Sequence, residues 1–130
     1  MNLQEKSTKR ILVVDDEKPI VELLVRRLQS WGYEVLTAVD AENGLRIAET
    51  ERPDLILLDI RLPEMSGREM CDRLRAQKDL PRIPVIFLTA LGMPEQIEQG
   101  FKVGADDYVV KPFRADELKE RLESCFKRFS

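Results

Sequence analysis

Short apolar runs and polar breaks alternate along this chain. The run Ile11-Leu12-Val13-Val14 stops abruptly at Asp15-Asp16-Glu17. A wholly apolar, β-branched run of that length reads as a strand buried on both faces. Pro19 then opens a helical stretch, where its missing N–H does no harm. Ile20, Leu23, Leu24, Leu28 and Trp31 follow at helical spacing. Gly32 ends the stretch, in the place a glycine commonly takes just past a helix. The alternation repeats. Residues 34–38 predict a strand, and 41–51 a helix with Asp40 as its N-cap. Residues 55–58 predict a second apolar strand that delivers Asp59 at its end. A helix is predicted over 67–77, a third apolar strand over 84–88 delivering Thr89, and a short helix over 94–102 that ends near Gly104. Residues 107–110 predict the last strand, delivering Lys111 and Pro112. The final helix carries Ala115, Leu118, Leu122, Cys125, Phe126 and Phe129 on one face.

Strands alternating with helices in this way predict an α/β fold with a parallel sheet, right-handed crossovers and helices on both faces. Residues 1–9 are polar and read as a flexible arm. Residues 10–130 read as one domain, with no internal repeat or low-complexity segment.

Composition narrows the chemistry. Charged residues are plentiful at 35%, but both signs are interspersed and the net charge is −3. There is no basic footprint, so direct nucleic-acid binding by this segment is not expected. No apolar run approaches the roughly 20 residues of a spanning helix, and the first ten residues lack the apolar core of a secretory signal. A cytoplasmic chain with no membrane contact is the expectation. Cys71 and Cys125 match no metal-finger spacing and read as reduced, partly buried thiols. The chain has no histidine. That removes Ser/His/Asp triads, histidine general bases and histidine-ligated zinc.

In open α/β sheets, ligands sit outside the carboxyl ends of the strands. Asp15 and Asp16, Asp59, Thr89 and Lys111 each fall directly after a separate predicted strand. Taken singly, an Asp after a strand is usually a cap or turn residue, and Asp15-Asp16 could simply cap the first helix. Jointly, they make a hard, oxygen-only site of the kind Mg²⁺ prefers, with Mn²⁺ as a substitute. Asp59 then has the makings of a nucleophilic carboxylate. Lys111 offers a point charge and Thr89 a hydroxyl for phosphoryl oxygens.

At these positions the chain resembles a known family. VVDDE at 13–17, LLDIRLPEMSG at 57–67, FLTA at 87–90 and GADDYVVKPF at 104–113 are similar to the motif blocks of bacterial response-regulator receiver domains, the chemotaxis regulators among them. The similarity covers about residues 10–128. It implies a flavodoxin-like (βα)5 fold with sheet order 2-1-3-4-5. It implies Asp59 as phosphoacceptor, Mg²⁺ held by Asp15, Asp16, Asp59 and the backbone carbonyl of Arg61, and a cis Lys111–Pro112 bond. It implies a sensor histidine kinase or histidine phosphotransfer protein as donor, with small phosphodonors as substitutes. Ala90 is small and leaves the phosphoryl path open. Thr89 would swing toward the phosphate and Tyr108 would rotate into the space vacated. A tyrosine packing at the sheet edge with its hydroxyl in water describes the same position in the unphosphorylated state. Arg61 and Leu91 fall where the family modulates hydrolysis, and are expected to lengthen the phosphoryl lifetime. Ser66 replaces the Asp common before Gly67, with little consequence for a turn.

The output is open at this point: a stand-alone receiver acting by protein contact, or part of a longer regulator. Asp106, Asp107, Glu117, Arg121 and Arg128 resemble the charged set through which receivers of winged-helix transcription factors pair as phosphorylation-dependent homodimers. Ile97 stands where that class has a basic residue. The alternative is a set of solvated i,i+4 charges, such as Glu117 with Arg121. Other classes fit worse. A haloacid-dehalogenase-type hydrolase wants a second Asp two residues after its nucleophile, where this chain has Arg61. A flavodoxin-like electron carrier wants a phosphate loop where this chain has Asp15-Asp16-Glu17. The chain is therefore expected to be no enzyme beyond its own phosphorylation and dephosphorylation.

Overall fold

The computed structural model describes residues 8–90 and 104–129. Five strands form one parallel sheet: β1 (Arg10–Val14), β2 (Glu34–Ala38), β3 (Leu55–Asp59), β4 (Val85–Ala90) and β5 (Asp107–Lys111), in the order β2-β1-β3-β4-β5. The described helices are α1 (Lys18–Ser30), α2 (Ala41–Glu51), α3 (Gly67–Arg75) and α4 (Ala115–Arg128). The helix expected over 94–102, Leu91, Ile97 and most of the 1–9 arm lie outside the described residues.

Side chains alternate across the pleat, and this sorts the core into two layers. Leu12, Val14, Ile56, Leu58, Val85 and Phe87 face α2 and α3, against Ala41, Ala48, Met70 and Leu74. Ile11, Val13, Leu55, Leu57, Ile86, Leu88 and Val109 face the opposite way, against Leu24 and Leu28 of α1 and Leu118, Leu122 and Cys125 of α4. Burying each such side chain stabilises the fold by about 1.5–3 kcal/mol, so the wholly apolar runs are what lock the three inner strands between helices.

The local signals explain most boundaries. Asp40 caps α2, its Oδ1 accepting from Asn43 N at 2.8 Å. Ser66 caps α3, its Oγ accepting from Glu69 N at 3.1 Å. α3 closes at Arg75, two residues before the expected end, with Ala76 as its C-cap. β3, β4 and β5 each run one or two residues past their apolar runs, because ladder pairing continues: Asp59 opposes Leu88, Thr89 opposes Val110 and Ala90 opposes Lys111. Asp59, Thr89 and Lys111 are thus ladder residues rather than loop residues. Phe129 departs from its expected place in the core. It is the C-cap of α4, 42% exposed, because the groove it lines with Pro81 and Arg82 opens to solvent. Arg82 and Arg128 stack beside its ring, 4.8 and 5.5 Å from the centroid. The Lys111–Pro112 bond is cis.

Candidate phosphoryl-acceptor site

The strand order reverses between β1 and β3, which opens a crevice beyond their carboxyl ends. A cleft of about 520 Å³ lies there, lined by Asp16, Glu17, Ile20, Asp59, Ile60, Arg61, Thr89, Ala90, Lys111 and Pro112.

Asp15 follows the last rung of β1 and is fully buried. Its Oδ1 accepts from Glu17 N at 2.9 Å and its Oδ2 from Lys111 Nζ at 3.0 Å. Asp59 ends β3 and is 6% exposed. Its Oδ1 accepts from Arg61 N at 3.0 Å, and its Oδ2 from Lys111 Nζ at 3.3 Å. Lys111 donates a third time, to Glu17 Oε1 at 2.9 Å. One ammonium near the end of the chain therefore bridges three carboxylates from its first half. Burial works against the Lys111 charge, but hydrogen bonds to Glu17 and Asp15 and the charge of Asp59 outweigh it and hold the ammonium above its ordinary value. Burial pushes the Asp59 carboxyl up to about 6 and the Asp15 charge adds to this, while the Arg61 N–H and Lys111 oppose it.

Pleat parity separates two groups of site residues. Asp15, Asp59 and Lys111 continue the odd positions that face α1 and α4. Thr89 continues the Val85–Phe87 face, on the α2 and α3 side, and Tyr108 packs on that same layer opposite Phe87. Thr89 is buried and, among the described residues, its Oγ1 makes a long contact, 3.4 Å, to Ala90 O. Ala90 is exposed at the cleft mouth.

Two placements refine the expected metal set. Asp16 is exposed and lines the cleft, whereas the carboxylates gathered together are Asp15, Glu17 and Asp59, with one oxygen of each within 4.8 Å of the others. Glu17 is legible as the third acid of the VVDDE block, but its own position suggests only a helix start. It is the N-cap residue of α1, yet its side chain makes no cap bond and turns to Lys111 instead. The all-oxygen donor set fits a hard divalent cation. Gly67 is a second residue whose weight the sequence hides. A Cβ there would lie 2.2 Å from Asp59 O, so only glycine lets α3 start against β3.

The charged face also differs from expectation. Asp106 does not face outward. Its carboxylate, 6% exposed, accepts from Val85 N at 2.8 Å and pairs with Arg75 at 3.1 Å and Arg82 at 2.7 Å. It must satisfy the first amide of β4, so it turns into the fold. Arg128 reaches only its backbone oxygen, at 3.0 Å. Asp107, Glu117 and Arg121 lie together near the surface, with Arg121 2.7 Å from Asp107 and 3.7 Å from Glu117.

Comparison with known proteins agrees with this geometry. Residues 11–123 match the response regulator receiver domain family. The chain is 47% identical over 120 residues to the alkaline phosphatase synthesis transcriptional regulatory protein PhoP of Bacillus subtilis, covering 92% of this chain and 49% of that protein. It is also 47% identical over 124 residues to the probable transcriptional regulator ycf27 of Cyanophora paradoxa, covering 95% and 51%. The chain spans about half the length of these curated relatives. Among solved structures, the chemotaxis protein CheY4 of Vibrio cholerae superposes with a TM-score of 0.85 at 34% identity, covering 92% of this chain and 99% of that one. The family match over residues 11–123 and the likeness in shape agree, and the chain belongs to the response-regulator receiver domain family of two-component signalling.

Proposed function

We propose that Asp59 accepts a phosphoryl group from the phosphohistidine of a sensor histidine kinase or a histidine phosphotransfer protein. The observation that carries this is the buried Asp59 carboxylate, open to the cleft and neutralised by a lysine shared with Asp15 and Glu17. A carboxylate oxygen of Asp59 attacks phosphorus, the P–N bond breaks, and the donor imidazole keeps the electron pair and takes a proton. Lys111 pairs with the incoming phosphoryl oxygens, and Thr89 offers its hydroxyl from the other face of the sheet. Asp15, Asp59 and the Arg61 carbonyl would hold Mg²⁺ (or Mn²⁺), with Asp16 and Glu17 at the rim. When bound, the cation supplies the positive charge that lets an anionic donor approach this acidic cleft. Ala90 leaves the path to Asp59 unobstructed. The chain's chemistry is then confined to its own phosphorylation and dephosphorylation.

The phosphate adds about −1.5 to −2 charge, and Thr89 and Tyr108 read it out on the α2–α3 side. PhoP and ycf27 are transcriptional regulators about twice as long. This supports a receiver that governs a DNA-binding output, through a phosphorylation-dependent homodimer that uses Asp107, Glu117, Arg121 and Arg128. The match to nearly the whole of the chemotaxis protein CheY4 favours a second reading, a receiver acting by direct contact with a downstream protein. Among the described residues no helix is long and apolar enough to cross a membrane, which accords with a cytoplasmic site of action.

Intact-mass measurement after acetyl phosphate and Mg²⁺ tests the proposal. One phosphoryl adduct is expected on the wild-type chain and none on Asp59→Asn. An equal adduct on both would place the acceptor elsewhere.

A further inference from the structure

Arg121 does two things at once. Its guanidinium pairs with Asp107 at 2.7 Å and with Glu117 at 3.7 Å. It also lies over the ring of Tyr108, 5.4 Å from the centroid. These partners come from both sides of an edge strand. α4 packs on the Val109 face of β5, whereas Tyr108 packs on the opposite face. The long arginine stem reaches around the strand to join them. Asp107, adjacent to Tyr108, fixes the guanidinium in place, and Glu117, one turn earlier on α4, supports it.

We infer that Arg121 is a clasp on the readout: it holds the Tyr108 ring at the sheet edge and so opposes its movement toward Thr89. The inference rests on the proposed phosphoacceptor reading and adds a regulator to it. Tyr108 opposes Phe87 and Val110 opposes Thr89, so the ring sits one pleat repeat from Thr89 on the same face. Moving inward takes the ring out from under the guanidinium. A cation over an aromatic ring favours the geometry that keeps them stacked. An interaction present in only one of two states shifts the balance toward that state, and raises the ligand free energy needed to leave it. Arg121 is thus a positioning residue. It touches neither Asp59 nor the cleft, and sets how readily the phosphorylated arrangement is reached. It also couples the surface to the site. A partner that draws Arg121 or Asp107 away releases Tyr108, and by reciprocity phosphorylation makes both charges available to that partner.

Beryllofluoride with Mg²⁺, an acyl-phosphate mimic, tests this by calorimetric titration at a concentration where wild type and variants are all monomeric, alongside ring proton spectra of Tyr108 in the metal-free chain. Arg121→Gln keeps the stem but removes the cation, and Asp107→Asn removes its anchor. Each variant is expected to bind beryllofluoride about threefold more tightly than wild type, the scale of one exposed cation–π contact. The double variant is expected to match the singles, because one clasp is broken either way. Arg121→Lys is expected to restore most of the wild-type affinity. In the metal-free chain, Arg121→Gln is expected to move the Tyr108 ring resonances. If both folded variants bind as the wild type does, or more weakly, the clasp is overturned while the phosphoacceptor reading stands. If wild type itself fails to bind the mimic, both are overturned together.

Discussion

Asp59 is an acid held between opposing influences. Burial raises its pKa to about 6 from an ordinary value of 3.8, against the pull of the Arg61 amide and Lys111. The folded chain therefore holds this proton more tightly than the unfolded chain, and ionising it costs stability. The cost is absent below about pH 4, grows as pH rises through the window from 3.8 to about 6, and is complete above it. Asp59→Asn removes that cost. In the metal-free chain the variant should be more stable than wild type at pH 7.5 by about 1–2 kcal/mol, after discounting for solvent in the cleft. The gap should close by pH 4, and thermal melts across that range check it. A gap that widens on acidification would contradict the assigned direction. Added Mg²⁺ should narrow the difference at pH 7.5 by stabilising wild type alone.

At the scale of elements, the join between β3 and α3 leaves no room for a side chain at Gly67. Gly67 N donates to Ile60 O at 2.9 Å, and a side chain at Gly67 would strike the Asp59 carbonyl. Gly67→Ala must push β3 and α3 apart, at an expected cost of about 3 kcal/mol. Gly32 is the contrast. A Cβ there meets nothing within 4 Å, but φ is +93°, so Gly32→Ala should cost about 1 kcal/mol from the backbone alone. Denaturant unfolding of the two variants separates the cases, and equal costs would show that the strand–helix join can relax. Most elements are legible in the residues themselves, because a fully apolar run of four has few alternatives and Asp40 marks its helix unambiguously. What escapes is tertiary in origin. Nothing local tells Glu17 to abandon its helix cap for Lys111, 94 residues away. Gly67 reads as a turn glycine until β3 is seen against it. Phe129 fits the helical stripe of α4 but falls where the core has ended.

At the scale of the whole molecule, the two ends of the sheet have different tasks. The carboxyl end carries the chemistry, while the amino end is fastened by Asp106, which ties Arg75 of α3 and Arg82 to the first amide of β4. This is why Asp106 and Asp107, neighbours in an acidic pair, divide between the interior and the surface. Their sequence alone does not distinguish them, since only the ladder register decides which one turns inward. Asp106→Ala leaves Arg75 half-buried without its carboxylate and should cost about 3 kcal/mol, whereas Asp107→Ala should cost less than about 1 kcal/mol. Urea unfolding checks the ordering, and a reversal would return Asp106 to the surface.

The Lys111 bridge has a consequence for how the protein is made. Lys111 Nζ joins Asp15 across 96 residues, so the first and last strands must both be in place before the site exists. A nascent chain emerges from the ribosome with Asp15 and Asp59 long before Lys111. Until β5 docks beside β4, Asp59 lacks its cation partner. The bridged site therefore assembles only after β5 has been made, and a chain that stops short of β5 lacks it.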